Sequence, residues 1–257
     1  MTTDPHPKSN DEFYIGYAPK LPPGIRNFLL GLIPALVALA AVLGFWTPSV
    51  HNQYGLGALD KTQDFQGVLM AQPVPHLAIP RQGDTSGGAA YSRYLLSAFN
   101  KAAFNPQSLK ELSGQWVNLK GLPVYRDQFT LLASGGATAA DPPAGKPVAP
   151  PEGKSLGEFT LSGQIVDSKC YLGVMKPGES ATHRNCAIRC ISGGVPASLV
   201  VQNTAGDLMY LALVGRDGQS INNRILSRVG SPVEVTGEVM QYDDLYVLRA
   251  DPEEFSL

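Results

Sequence analysis

Hydrophobic positions follow two regimes along this chain. Phe28 to Trp46, FLLGLIPALVALAAVLGFW, runs nineteen residues without a charge. As a helix it reaches about 28 Å, close to the roughly 30 Å hydrocarbon core of a bilayer. It is apolar on every side, which excludes an amphipathic surface helix. Pro34 is tolerated in a membrane helix, and Trp46 stands where an interfacial aromatic belongs. A cleaved signal peptide would have a shorter apolar core and a clearer cleavage site. The expected element is one uncleaved transmembrane helix over 28–46, after a polar, proline-bearing tail over 1–27 that reads as disordered.

Beyond the helix the pattern turns to short alternating runs, the mark of β-strands. After a stalk from Thr47 to Asp60, strands are expected at Phe65 to Met70, Tyr94 to Leu96, Trp116 to Gly121 and Val124 to Leu132, with a helical turn at Pro106 to Leu112. His76, between prolines in PVPHLAIP, reads as an unpartnered loop histidine. Gly135 to Leu156, rich in Pro, Gly and Ala, lacks any apolar period and reads as a semi-extended linker. A second run of strands follows at Phe159 to Val166, Ser198 to Val201, Leu208 to Val214, Val233 to Gly237 and Val239 to Leu248. Ser220 is placed to cap a short helix over Ile221 to Val229, stopped by Gly230.

The two strand-rich stretches, 47–134 and 157–257, look like copies of one unit. Phe65-Gln-Gly67 aligns with Leu161-Ser-Gly163, and GQWVNLKG from Gly114 matches GSPVEVTG from Gly230. Continuing without gaps, Asp127 meets Asp243 and Leu131-Leu132 meets Val247-Leu248. Gly67 to Gly114 is 47 positions and Gly163 to Gly230 is 67, so the second copy is longer by 20. Cys170 to Cys190 spans that same number, which makes this segment an insertion between the first two strands of the second copy. Both copies resemble an OB-fold, a five-stranded small barrel with a helix before strand four. The expected architecture is therefore mainly β: an N-terminal transmembrane helix, then two OB-like barrels joined by the 135–156 linker.

Charge sets the orientation. Lys8, Lys20 and Arg26 precede the apolar run, whereas the first basic residue after it is Lys61. The positive-inside rule then keeps the N-terminus in the cytoplasm and exports the remainder. In a bacterial cell this means the inner membrane, with both barrels in the periplasm, where disulfides are permitted. The net charge is −2, and residues 157–257 carry 8 basic and 12 acidic side chains, a net of −4. Nucleic-acid binding needs basic grooves with stacking aromatics, so no nucleic acid is expected as a partner.

All three cysteines lie in the insertion, DSKCYLGVMKPGESATHRNCAIRCISGGVP, with His183 among them. Cys170, His183, Cys186 and Cys190 give the spacing C-x12-H-x2-C-x3-C, which fits no standard zinc finger. Three thiolates and an imidazole nevertheless suit a tetrahedral zinc or copper(I) site. Met175 is a further soft candidate ligand. Lys169, Lys176, Arg184 and Arg189 stand against Glu179 alone, a basic setting that favours thiolates. Two other readings remain open. One is a structural disulfide from Cys170 to Cys186 or Cys190, worth roughly 2–4 kcal/mol. The other is a thiol–disulfide oxidoreductase using Cys186 and Cys190, without the C-x-x-C of thioredoxin-like enzymes.

Catalytic motifs are otherwise missing: the sequence has no G-x-S-x-G, H-E-x-x-H or C-x-x-C-H, and Gly193-Gly194 lacks the context of a phosphate loop. The adjacent Asp243 and Asp244 read as solvated turn residues. A non-enzymatic protein is expected, with no catalytic or organic-cofactor residue assigned. The DSKCYLGVMKPG and H-x-x-C-A-x-x-C-I-x-G-G segments resemble a family of single-span bacterial membrane proteins with an exported OB-like domain. The cluster is also similar to C-x3-C copper sites of the cell envelope, without their downstream histidine. The resemblance implies an accessory or assembly protein that presents its Cys/His loop to an envelope redox or respiratory complex.

Overall fold

A computed structural model describes residues 21–51, 57–81, 89–143 and 149–256. Most of the expected tail, part of the stalk and the middle of the linker lie outside the described residues. The apolar run forms α1, Pro23–His51, longer at both ends than the nineteen-residue core that the sequence marks. It is long and apolar enough to cross a membrane, and none of its most apolar window is buried within the protein.

The rest, from β1 to β12, folds as one compact body separate from α1. Its first half comprises β1 (Ala58–Leu59), β2 (Gln63–Met70), β3 (His76–Pro80), β4 (Tyr91–Ser97), α2 (Pro106–Leu112), β5 (Trp116–Arg126) and β6 (Phe129–Ala139). Strand order β5-β2-β3-β4-β6 closes through pairing of β6 with β5, and β4 runs parallel to β6. Five strands in that cyclic order, with a helix between the third and fourth, make an OB-like barrel. Asn105 caps α2, its Oδ1 accepting from Gln107 N at 2.9 Å and Ser108 N at 3.2 Å.

The second half repeats the plan. β7 (Lys154–Asp167), β8 (Ala197–Gln202), β9 (Leu208–Val214), β10 (Pro232–Tyr242) and β11 (Leu245–Arg249) close in the order β10-β7-β8-β9-β11, with β9 parallel to β11. A two-residue β12 (Phe255–Ser256) extends β10, as β1 extends β5. Between β7 and β8 lie a helical turn, Cys170–Val174, and α3, Ser180–Ser192. The corresponding connection in the first barrel, from β2 to β3, holds only residues 71–75.

Strand register bears out the repeat residue by residue. Gly67 stands opposite Val117 and Gly163 opposite Val233. A Cβ on Gly67 would lie 2.5 Å from the Ala78 carbonyl oxygen, and one on Gly163 2.3 Å from that of Val200. Both glycines are required because the next strand passes too close for a side chain. Leu131 and Leu132 pair with Leu95 and Leu96, while Val247 and Leu248 pair with Ala212 and Leu213.

Three local expectations change. His76–Pro80 of PVPHLAIP is strand β3 rather than a loop. Its His76, Leu77 and Ala78 are all buried, so it faces packing on both sides and shows no alternation. Residues 221–229 form two 3-10 turns, Asn222–Arg224 and Leu226–Arg228, rather than one helix. Ile221, Ile225 and Val229 still reach the core, but the buried Asn222 is drawn aside to donate to the carbonyls of Ile191 and Val195, each at 2.9 Å. The strands also continue into the expected linker, β6 to Ala139 and β7 from Lys154.

The barrels share a core. Val74, Leu95, Val124, Phe129 and Leu131 of the first pack in one cluster with Val166, Tyr171, Leu172, Tyr210 and Val247 of the second. Around it the repeat generates reciprocal polar contacts. Asp127 and Asp243 both take positive φ, 54° and 52°, in equivalent hairpin turns. Asp243 Oδ2 accepts from Arg93 Nε on β4 at 2.8 Å, and Asp127 Oδ2 accepts from Tyr210 Oη on β9 at 3.0 Å. Register makes Arg93 and Tyr210 equivalent positions. Asp243 is thus not a solvated turn residue: its side chain and that of Arg93 are each 1% exposed. Asp244 accepts from Arg81 at 2.7 Å and from the backbone N–H of Arg93 at 2.8 Å.

Candidate metal and thiol centre

The insertion is a structured wedge against the first barrel. DSKC, where β7 ends, ties it down residue by residue. Asp167, fully buried, accepts from Cys170 N at 2.8 Å and from His183 Nε2 at 3.2 Å. Ser168 Oγ donates to the Pro196 carbonyl at 2.8 Å, closing the base of the insertion. Lys169 extends into the first barrel, where its Nζ donates to the carbonyls of Ala98, Phe99 and Asn100. Burial lowers the Lys169 pKa from its ordinary value. Beyond Cys170, Tyr171 enters the shared core, and its ring lies 4.0 Å beneath the Arg126 guanidinium.

α3 carries the other ligand candidates. His183, Cys186 and Cys190 are three and then four residues apart, so they share one helical face. Gly193 and Gly194 end α3 and lie against residues 101–103 of the first barrel. A Cβ on Gly193 would meet the Lys101 carbonyl oxygen at 2.0 Å, and Ala103 N donates to Gly193 O at 2.7 Å. The glycine pair therefore serves close packing.

The four residues named from sequence come together around Cys170, although not as a single closed set. Donor atoms of Cys170, His183 and Cys186 lie within 4.8 Å of one another, and so do those of Asp167, Cys170 and Cys190. Cys170 belongs to both groups. Its sulfur is 3.9 Å from that of Cys190, and all three cysteines are free thiols here. Cys170, Cys190 and His183 are buried, whereas Cys186 is half-buried and faces the surface of the wedge. Met175 is exposed at the end of the helical turn.

Charge divides the thiols. Cys170 is pushed up by its hydrogen bond to Cys190, by burial and by the Asp167 carboxylate. Cys190 is drawn down, first by that same hydrogen bond and further by the charges of Lys101 and Lys169. Cys190 is thus the favoured thiolate of the buried pair, with Cys170 the donor. Lys101 Nζ, from the first barrel, donates to Cys186 Sγ at 3.1 Å, and this bond raises the Lys101 pKa above its ordinary value.

Asp167 and Lys101 were not among the residues named from sequence, and Lys169 was read there only as part of a basic setting. Asp167 carried a readable signal, an aspartate three residues before a backbone N–H that it caps. Lys101 carried none, since 85 residues separate it from Cys186.

The donor set fits a soft metal. With Nε2 of His183 donating to Asp167, Nδ1 holds the lone pair that a metal would take, and a carboxylate behind a ligating histidine is the usual supporting contact. Two thiolates and an imidazole suit zinc or copper(I). Comparison with protein-family models, with curated proteins and with solved structures found no match.

Proposed function

We propose that this chain is a membrane-anchored envelope protein that holds a soft metal ion, copper(I) or zinc, through Cys170, His183 and Cys186. The observation that carries this reading is the convergence of those donor atoms within 4.8 Å, with the buried Asp167 carboxylate accepting from His183 Nε2. α1 serves as a single span with the N-terminus in the cytoplasm, and both barrels lie on the periplasmic side of the inner membrane, in line with Lys8, Lys20 and Arg26 preceding the span. Only Cys186 of the three ligands is half-exposed, so exchange with a partner passes through that edge. This suits an accessory or assembly protein of an envelope redox or respiratory complex rather than an enzyme.

Chemistry at the site is binding rather than turnover. A bound ion would supply Lewis acidity or one-electron chemistry. The chain's own residues fix its donors: Asp167 sets the tautomer of His183, and the turn after β7 and α3 bring the sulfurs of Cys170 and Cys186 within 4.8 Å of the imidazole donor.

Metal analysis of the full-length protein, purified reduced in detergent, tests this. About one equivalent of zinc or copper per chain is expected. His183→Ala and Cys186→Ser should lose it, and Asp167→Asn should weaken it by roughly 10–100-fold while keeping the fold. No bound metal in fully reduced protein exposed to both ions would refute the reading.

A further inference from the structure

Cys170 cannot serve two neighbours at once. Its sulfur lies within 4.8 Å of the donor atoms of Cys186 and His183, and 3.9 Å from the sulfur of Cys190. A disulfide needs about 2.05 Å between sulfurs, a closure of roughly 2 Å for side chains already facing each other. Cys170 and Cys190 are 3% and 0% exposed, so no disulfide-bearing molecule reaches them directly. Cys186 is reachable, and the Lys101 ammonium lies beside its sulfur.

We propose that the three cysteines form a thiol–disulfide relay, with Cys186 as the reacting surface thiol and Cys170–Cys190 as the disulfide it delivers, and that the oxidised state releases the metal. The oxidant is a small molecular disulfide, RSSR. Cys186 sulfur, giving up its proton, attacks one sulfur of RSSR; that S–S bond breaks and one RS− leaves. Cys170 sulfur then gives up its proton and attacks Cys186, forming Cys170–Cys186 and expelling the second RS−, which takes that proton. Cys190 sulfur finally attacks Cys170, the Cys170–Cys186 bond breaks, and Cys186 is freed to take a proton. In sum Cys170 and Cys190 lose two electrons and two protons, and RSSR becomes two RSH. The buried pair is the stable end of the relay because both its sulfurs are shielded, whereas a disulfide to Cys186 stays open to reversal.

Metal release follows from geometry. Once Cys170 is bonded to Cys190, only His183 and Cys186 remain of the three-donor set, and a structural soft-metal site needs more. This part rests on the metal reading above; the relay itself does not.

The test uses full-length protein in detergent, reduced, freed of reductant, offered zinc and then treated with oxidised glutathione. About two glutathione thiols per chain should appear, zinc should leave in parallel, and peptide mapping should show Cys170 joined to Cys190 with Cys186 free to alkylate. Cys186→Ser should oxidise at least tenfold more slowly with glutathione disulfide, yet still form Cys170–Cys190 with the smaller oxidant diamide, showing that its pair remains in place. A final Cys170–Cys186 bridge, glutathione retained on Cys186, or a Cys186→Ser chain as fast as the unaltered one would overturn the relay. Zinc retained by a chain mapped as Cys170–Cys190 would overturn the release. A reduced chain that never binds zinc would refute the metal reading and with it the release, and the peptide map would still decide the relay.

Discussion

His76 donates from Nδ1 to the Val74 carbonyl at 2.8 Å, which leaves Nε2 to accept from Arg93 Nη1 at 3.1 Å. That arrangement requires the neutral ring. Burial, aided by the Arg93 charge and opposed by the Val74 bond and Asp243, lowers its pKa from 6.5 to about 4. Between those values the unfolded chain binds a proton that the folded chain does not, so stability falls as pH drops through this window and is fully present above it. The loss should approach 3 kcal/mol by pH 4, on the order of 1.4 kcal/mol per unit. Thermal melts of the full chain from pH 7 to 4 should show a steep decline that flattens in His76→Gln; an unchanged slope would remove His76 as its source. The sequence placed this histidine in a loop because prolines flank it. Its function as a joint between barrels depends on Arg93 and Asp243, which no local pattern ties to it.

At the level of elements, the closest match between sequence and structure is the repeat. Gly67 and Gly163 were legible as equivalents, and the structure supplies the reason: both sit where the following strand crosses too closely for a Cβ. Gly163→Ala would force an atom to 2.3 Å from the Val200 carbonyl oxygen, and the backbone of β8 must shift to accept it. Overpacking of this kind costs about 1–3 kcal/mol, or roughly 2–10 °C in a body of this size. A melting temperature equal to that of the unaltered protein would show that β8 gives way freely. The insertion was legible as an interruption of the repeat, whereas the helix α3 that sets His183, Cys186 and Cys190 on one face came from the structure. The split of its four ligand candidates into two groups sharing Cys170 was not legible, because it depends on how β7 delivers Cys170 to that face.

Across the whole two-barrel body, duplication explains more than shape. Equivalent turns project Asp127 and Asp243 into the opposite barrel, one onto Tyr210 and the other onto Arg93. The contacts are related by the repeat although their chemistry has diverged, so sequence comparison exposed the aspartates and not their partners. The same junction holds the Cys/His wedge. Lys169 and the Gly193–Gly194 turn fasten it to residues 98–103 of the first barrel, and Lys101 comes from that loop to Cys186. The first barrel, which has no cysteine, thus completes the site carried by the second. Duplication followed by insertion in one copy places the Cys/His wedge at the seam, where the second copy carries the ligand candidates and the first brings the Lys101 charge to Cys186.

The most direct test of the metal centre is X-ray absorption at the metal edge of the full-length protein, loaded under reducing conditions with zinc. Two sulfur neighbours at about 2.3 Å and a nitrogen neighbour at about 2.0 Å are expected, with the imidazole signature lost in His183→Ala. A shell of oxygen and nitrogen alone, or a spectrum indifferent to His183→Ala and Cys186→Ser, would contradict a centre built from Cys170, His183 and Cys186.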